Sequence, residues 1–208
     1  MNRGVDGLSD AELLAIVLGT GSKGLPVVCY CEQLINHFGS LRRVLAASPQ
    51  QLIRIHGVGR AKASQIVAIS ELSRRSLAEA LKLGSALDHP HHVKQYCQTV
   101  LGHRTVEHCI ALFLNTQLKL ITCVELSRGT LSEAAVYPRE IVRKALEHHA
   151  AAVILAHNHP SGSNVPSAAD LSLTRRVADA LKLVDIHLVD HLIVAGQDSL
   201  SLAETGQL

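Results

Sequence analysis

Apolar positions along this chain change period near its middle. Over residues 8–83 they recur at helical spacing, and beyond residue 106 they gather into short runs separated by polar or glycine-containing breaks. The helical part opens at Leu8-Ser-Asp-Ala-Glu-Leu-Leu14, with Ser9 at the N-cap and Glu12 three residues on, a capping box. Residues 19–24 break this helix, and a second one over 27–37 ends at Phe38-Gly39-Ser40. Ser40 caps a short helix over 41–46, and Ser48-Pro49 opens the next, with proline at the first helical position. That helix runs into Gly57-Val58-Gly59 and leaves as a further helix bearing Ala61, Ala63, Ile66, Val67 and Ile69, which continues to Gly84.

A helix over 93–101 precedes the change of period. Glu107 to Asn115 is an apolar run bounded by polar residues, a buried strand, and 118–127 is a second. Asn115-Thr-Gln-Leu118 joins them as a hairpin, and Gly129-Thr130 marks a loop. Pro138-Arg-Glu140 starts a helix that runs to His148 or His149, and 150–156 is a third, wholly apolar strand. Ser167 starts a long helix ending near Leu183, and 186–189 and 191–194 are strand-like around Asp190. The expected architecture is a small all-α domain, 1–84, followed by a mixed α/β domain, 86–208, with helices layered on a mixed central sheet. The boundary falls between Lys82 and His89, where Gly84 and His89-Pro90 interrupt the pattern.

Composition narrows the function classes. Hydrophobic residues make up 47% and aromatics only 2%, so the core is built from aliphatic side chains. A formal charge of +2 leaves nucleic-acid binding to a local patch, not a global field. The five cysteines are odd in number and follow no signal peptide, which points to reduced thiols and a cytoplasmic setting. Cys29-x-Cys31 lies in a helical pattern without a second pair and is expected in the core. No apolar run reaches the roughly 20 residues of a membrane span.

The residues richest in chemistry lie in 155–170. His157 and His159 follow the buried third strand, where residues two apart point to one side. Asp170 lies in the first turn of the next helix, and Pro160-Ser-Gly162 and Pro166 turn the chain back. Two imidazoles and one carboxylate with a position left open are the donor set of a catalytic zinc site. Ser167-x-x-Asp170 is equally the pattern of a helix cap, and Ser167 can serve both roles. Asp190-His191 suits either a hydrogen-bonding partner of the ligands or a buried structural pair. Arg42-Arg43, Arg74-Arg75 and Arg175-Arg176 suit solvated helix faces. In the N-terminal part, Gly57 and Gly59 permit a close approach of backbone N–H groups to phosphate, with Arg60 and Lys62 adding charge. This segment, about 49–70, resembles a helix-hairpin-helix that binds DNA backbone, and an αα-hairpin used only for packing fits the same residues.

The joint spacing His-x-His, seven residues, Ser-x-x-Asp resembles the JAMM (MPN-plus) metalloprotease motif. The wording His157-Asn-His-Pro-Ser-Gly162 with Pro166-Ser167 is similar to the bacterial RadC family, as are residues 8–14, the Gly57-Val-Gly59 hairpin, Gly129-Thr130, Pro138-Arg-Glu140 and Asp190-His191. The segment that usually precedes Leu8 in that family is nearly absent here. The resemblance implies a JAMM/MPN-type domain with cytidine-deaminase-like layering and one zinc ion per chain, held by His157, His159 and Asp170. It implies that Ser167 steadies an oxyanion and that an upstream glutamate, best matched by Glu107, is the base; Glu125, Glu133 and Glu140 compete for that role. The implied activity is hydrolysis of an amide or isopeptide bond in a protein or peptide, with the hairpin directing the chain to DNA. The alternative is a non-catalytic DNA-associated protein with a structural metal. A zinc nucleoside deaminase is disfavoured because no Cys-x-x-Cys is present.

Overall fold

The structure is a computed structural model and describes residues 4–22, 24–129 and 136–208. The chain forms two compact units that divide between Arg75 and Ser76. The first is helical: α1 (Asp10–Leu18), α2 (Val27–Phe38), α3 (Leu41–Ala46), α4 (Pro49–Ile53) and the larger part of α5 (Arg60–Leu83). Serine side chains set the starts of these helices. Ser9 and Ser48 close full capping boxes with Glu12 and Gln51, and Ser40 accepts from the Arg43 N–H. The apolar faces meet in a core of Leu14, Leu18, Cys31, Leu34, Val44, Leu52, Val58 and Ile66. The last turns of α5 carry Leu77, Ala78 and Leu81 into the core of the second unit. The division therefore falls inside a continuous helix, upstream of the glycine and proline signals at 84–90, which interrupt the backbone but not the packing.

The second unit adds α6 (Pro90–Leu101), β1 (His108–Leu114), β2 (Leu120–Arg128), α7 (Pro138–Glu147), β3 (Ala152–Asn158), α8 (Ala168–Lys182), β4 (His187–Ala195) and β5 (Asp198–Ser201). The strands form one mixed sheet in the order β2-β1-β3-β4-β5. Only the β3–β4 pair is parallel, which requires the crossover that α8 supplies. Both faces of the central strands are covered, so β1 and β3 are buried at every position and read as unbroken apolar runs. One face packs on α6 and the end of α5 through Ile110, Leu112, Ile154 and Leu192. The other packs on α7 and α8 through Ala111, Phe113, Val153, Leu155, Ile141 and Val177.

Three details differ from the sequence reading. Helix α6 begins at Pro90, not Val93, because proline fits the first helical position. The two strand-like pieces around Asp190 are one strand, β4, with a register irregularity where Val153 pairs Leu188 and Ile154 pairs Asp190. Strand β5 follows a turn with Gly196 at φ +61° and is too short to show a period. Thr130 and Glu133 lie outside the described residues. No described helix is long and apolar enough to cross a membrane.

Candidate metal centre

The centre is built at the C-terminal end of β3, in the middle of the sheet. His157 pairs with Cys109 of β1 and Ile193 of β4, and its side chain is fully buried. The His159 N–H donates to the Val194 carbonyl at 2.9 Å, which carries the extended backbone past the strand end. The alternation is thereby preserved, and both imidazoles point to the face covered by α8. Helix α8 begins with Ser167 at its N-cap, and its first turn turns Asp170 inward at 0% exposure.

Three side chains converge there. His157 Nε2 lies 3.0 Å from His159 Nε2 and 3.1 Å from Asp170 Oδ1, and His159 Nε2 lies 3.3 Å from Asp170 Oδ2. Among the described residues this is the one group of His, Cys, Asp or Glu whose ligand atoms gather closely enough to hold an ion. Two ligands of a tetrahedral zinc ion, with bonds of about 2.0–2.1 Å, stand about 3.3 Å apart. The observed separations fit that edge.

The surrounding hydrogen bonds orient the three side chains. His159 Nδ1 lies 2.8 Å from the Ser163 carbonyl, which only accepts, so Nδ1 carries a hydrogen and Nε2 is the ring atom turned to the centre. Asp170 Oδ2 accepts from the Ser167 N–H at 2.7 Å and from the Ser167 hydroxyl at 2.6 Å. Asp170 Oδ1 is buried and faces His157 Nε2 at 3.1 Å, with no well-formed hydrogen bond among the described residues. Burial alone would push the Asp170 carboxyl up, but the His157 imidazole and the Ser167 donors outweigh it and hold the group well below the usual carboxylate range. Two imidazole nitrogens and a buried carboxylate thus converge within 3.0–3.3 Å, an arrangement that one cation can bridge. The residues present fit a divalent metal.

Cys109 borders the site but is unsuited as a ligand. Burial and the Asp170 charge push its thiol up to about 12, so it stays protonated.

The glutamate candidates separate by sheet face. Glu107 immediately precedes β1 and is half-buried. It has the parity of Cys109, the partner of His157, so an extended backbone gives it the face that carries both imidazoles. Glu125 pairs with Ile110 and lies 3.3 Å from His108 Nδ1, on the opposite face. Glu140 is an exposed residue of α7, paired with Arg143 at 3.1 Å.

Two residues of the site were invisible in the sequence pattern. Asn158, the middle residue of His-Asn-His, points away from the imidazoles. Its Oδ1 accepts from the His108 N–H at 2.8 Å, and its Nδ2 donates to the carbonyls of Val106 at 3.0 Å and Arg104 at 3.3 Å. It therefore ties down the backbone on both sides of Glu107. Thr174 sits behind the centre and touches His191, which in turn touches His157. The sequence signals that could have found them are an asparagine buried in an apolar strand and a threonine one helical turn after Asp170. Burial pushes His191 down to about 3, so it is neutral.

In the helical unit, Gly57 adopts φ +82°, and a Cβ there would come within 2.6 Å of Ser22 Oγ. Lys62 does not point outward. Its Nζ donates to the Gly21 carbonyl at 2.6 Å and the Gly57 carbonyl at 3.1 Å, and lies 4.7 Å from the Tyr30 ring centroid. Tyr30 donates its hydroxyl to the His56 carbonyl at 2.9 Å. Gly59 has open space where a Cβ would stand, and Arg60 is exposed at the start of α5.

Comparison with known proteins agrees with this architecture. Residues 87–207 match the RadC-like JAB domain, and residues 1–64 match the UPF0758 N-terminal family. A UPF0758 protein of Bordetella parapertussis is 52% identical over the whole of this chain and 92% of its own length. UPF0758 proteins of Janthinobacterium sp. and Saccharophagus degradans are each 50% identical, over 97% and 99% of this chain and 90% and 92% of their own lengths. A JAB-type domain on the mixed sheet, a matching N-terminal region and full-length relatives at this identity together place the chain in the UPF0758 family, whose C-terminal part is a RadC-like JAB domain.

Proposed function

We propose that the chain is a zinc-dependent hydrolase of an amide or isopeptide bond in a protein or peptide. The observation that carries this reading is the convergence of the ligand atoms of His157, His159 and Asp170 at 3.0–3.3 Å. A zinc ion held by these residues supplies the acidity that makes water a nucleophile near neutral pH. Glu107, on the same face, takes the proton from the attacking water and passes it to the leaving amine. Ser167, an exposed residue at the rim, turns its hydroxyl from Asp170 Oδ2 to the developing oxyanion, a contact stronger in the transition state than in the ground state. Asn158 keeps the Glu107 segment in register with the ligands. A structural metal needs neither a base nor an accessible hydroxyl beside it, which favours catalysis over a binding role.

The N-terminal hairpin is assigned to DNA backbone through Gly59 and Arg60, with Gly57 and Lys62 holding the hairpin closed from within. The five free cysteines fit a reducing, cytoplasmic setting. The purified chain should take up one zinc ion, measured by metal analysis after chelator treatment and re-addition. Glu107→Gln should retain the ion, lose turnover and trap substrate for identification; a fully active Glu107→Gln chain on that substrate would remove Glu107 from the mechanism.

A further inference from the structure

We infer that Thr174 and His191 are positioning residues that set the tautomer of the metal-ligand histidine, through a one-way chain of hydrogen bonds that runs from His157 to the Asp170 carbonyl. The inference rests on the metal-centre reading above and adds to it the residues that prepare the ligand.

The direction of the chain follows from counting hydrogens. Thr174 Oγ1 lies 2.7 Å from the Asp170 backbone carbonyl, which can only accept. The one hydroxyl hydrogen of Thr174 is therefore committed there. The same oxygen lies 2.6 Å from His191 Nδ1 and must accept from it. His191 is fully buried, and among the described residues its ring nitrogens hydrogen-bond only with the Thr174 hydroxyl and the His157 ring, so no carboxylate there compensates a second proton on it. With its hydrogen on Nδ1, His191 has a lone pair on Nε2. That atom lies 2.8 Å from His157 Nδ1, which must then donate. A His157 hydrogen is thus held on Nδ1, which leaves Nε2 as the ring atom turned toward His159 and Asp170.

The circuit also joins elements distant in sequence. Thr174 is one turn after Asp170 on α8, His191 lies on β4, and His157 lies on β3. The Thr174 bond to the Asp170 carbonyl fixes the helix turn that carries the third ligand. A threonine hydroxyl inside a helix ordinarily bonds back to the carbonyl four residues earlier. Here that habit has a consequence, because it forbids the hydroxyl from donating to His191 and so polarises the whole relay.

The test compares Thr174→Val, which keeps the shape and removes the hydroxyl, with Thr174→Ser, which restores it. Zinc affinity of the full chain, measured by competition with a chromogenic chelator, should fall about 10- to 100-fold in Thr174→Val and return close to wild type in Thr174→Ser. Long-range 1H–15N spectra of the metal-free wild-type chain should show His191 with its hydrogen on Nδ1 and none on Nε2. Wild-type affinity in Thr174→Val, or a hydrogen on His191 Nε2, would overturn the inference. If the wild-type chain binds no zinc, the metal-centre reading fails, and the His191 spectrum still decides the relay by itself. If Thr174→Val does not fold, the same spectrum on the wild-type chain decides it.

Discussion

The N-termini of α1 and α8 are built alike. In α1, Glu12 accepts from the Ser9 N–H at 2.8 Å and the Ser9 hydroxyl at 2.9 Å, while Ser9 Oγ accepts from the Glu12 N–H at 3.3 Å. In α8, Asp170 accepts from the same two groups of Ser167 at 2.7 and 2.6 Å, and Ser167 Oγ accepts from the Asp170 N–H at 3.2 Å. The local chemistry is one capping box used twice. The difference is where the carboxylate ends. Glu12 is half-buried on the helical unit, whereas Asp170 is buried beneath the sheet with its second oxygen aimed at His157. A capping box thus becomes a ligand platform when a strand end bearing two imidazoles is set against it. The cap also orients the ligand, because Ser167 binds Oδ2 and leaves Oδ1 for the centre.

The largest expected effect that sharpens this contrast is Asp170→Ala, which should abolish stoichiometric zinc uptake, while Glu12→Ala leaves uptake unchanged by the same metal analysis. Loss of zinc in Glu12→Ala would erase the distinction between the two caps. Asp170→Glu gives α8 the glutamate found in α1. The cap can still form, but an extra methylene in a closed site should cost about 1–3 kcal/mol in urea unfolding and weaken zinc binding. Unchanged affinity would show that the site has room the structure does not. The smallest effect is shared: Ser9→Ala and Ser167→Ala should each lose about 1 kcal/mol of stability as caps. Only Ser167→Ala should also lower turnover on a substrate trapped with Glu107→Gln. Equal turnover in Ser167→Ala and wild type would leave Ser167 a cap alone.

The same contrast explains what was legible beforehand. His157, His159, Ser167 and Asp170 lie within a few turns of chain, so strand alternation and cap spacing already bring them together. The mixed α/β class and the helical N-terminal region were readable for the same reason, since hydrophobic period reports local geometry. Glu125 and Glu107 could not be separated by spacing, because only the pairing of β1 with β2 and β3 sets them on opposite faces. Lys62 looked like a surface charge beside a glycine hairpin, yet it turns inward to the Gly21 carbonyl, a partner 41 residues away. The division inside α5 was hidden because helix continuity and packing partner are different properties.

By itself, then, the sequence determined the elements, their caps and the set of groups that can hold a metal, all properties of neighbours along the chain. Only the tertiary structure decided which carboxylate oxygen Ser167 leaves free, which strand face Glu125 takes, and that Thr174 and His191 stand behind His157. Those choices depend on hydrogen bonds between α8, β3 and β4, whose geometry exists only after the parallel crossover has brought the strands side by side.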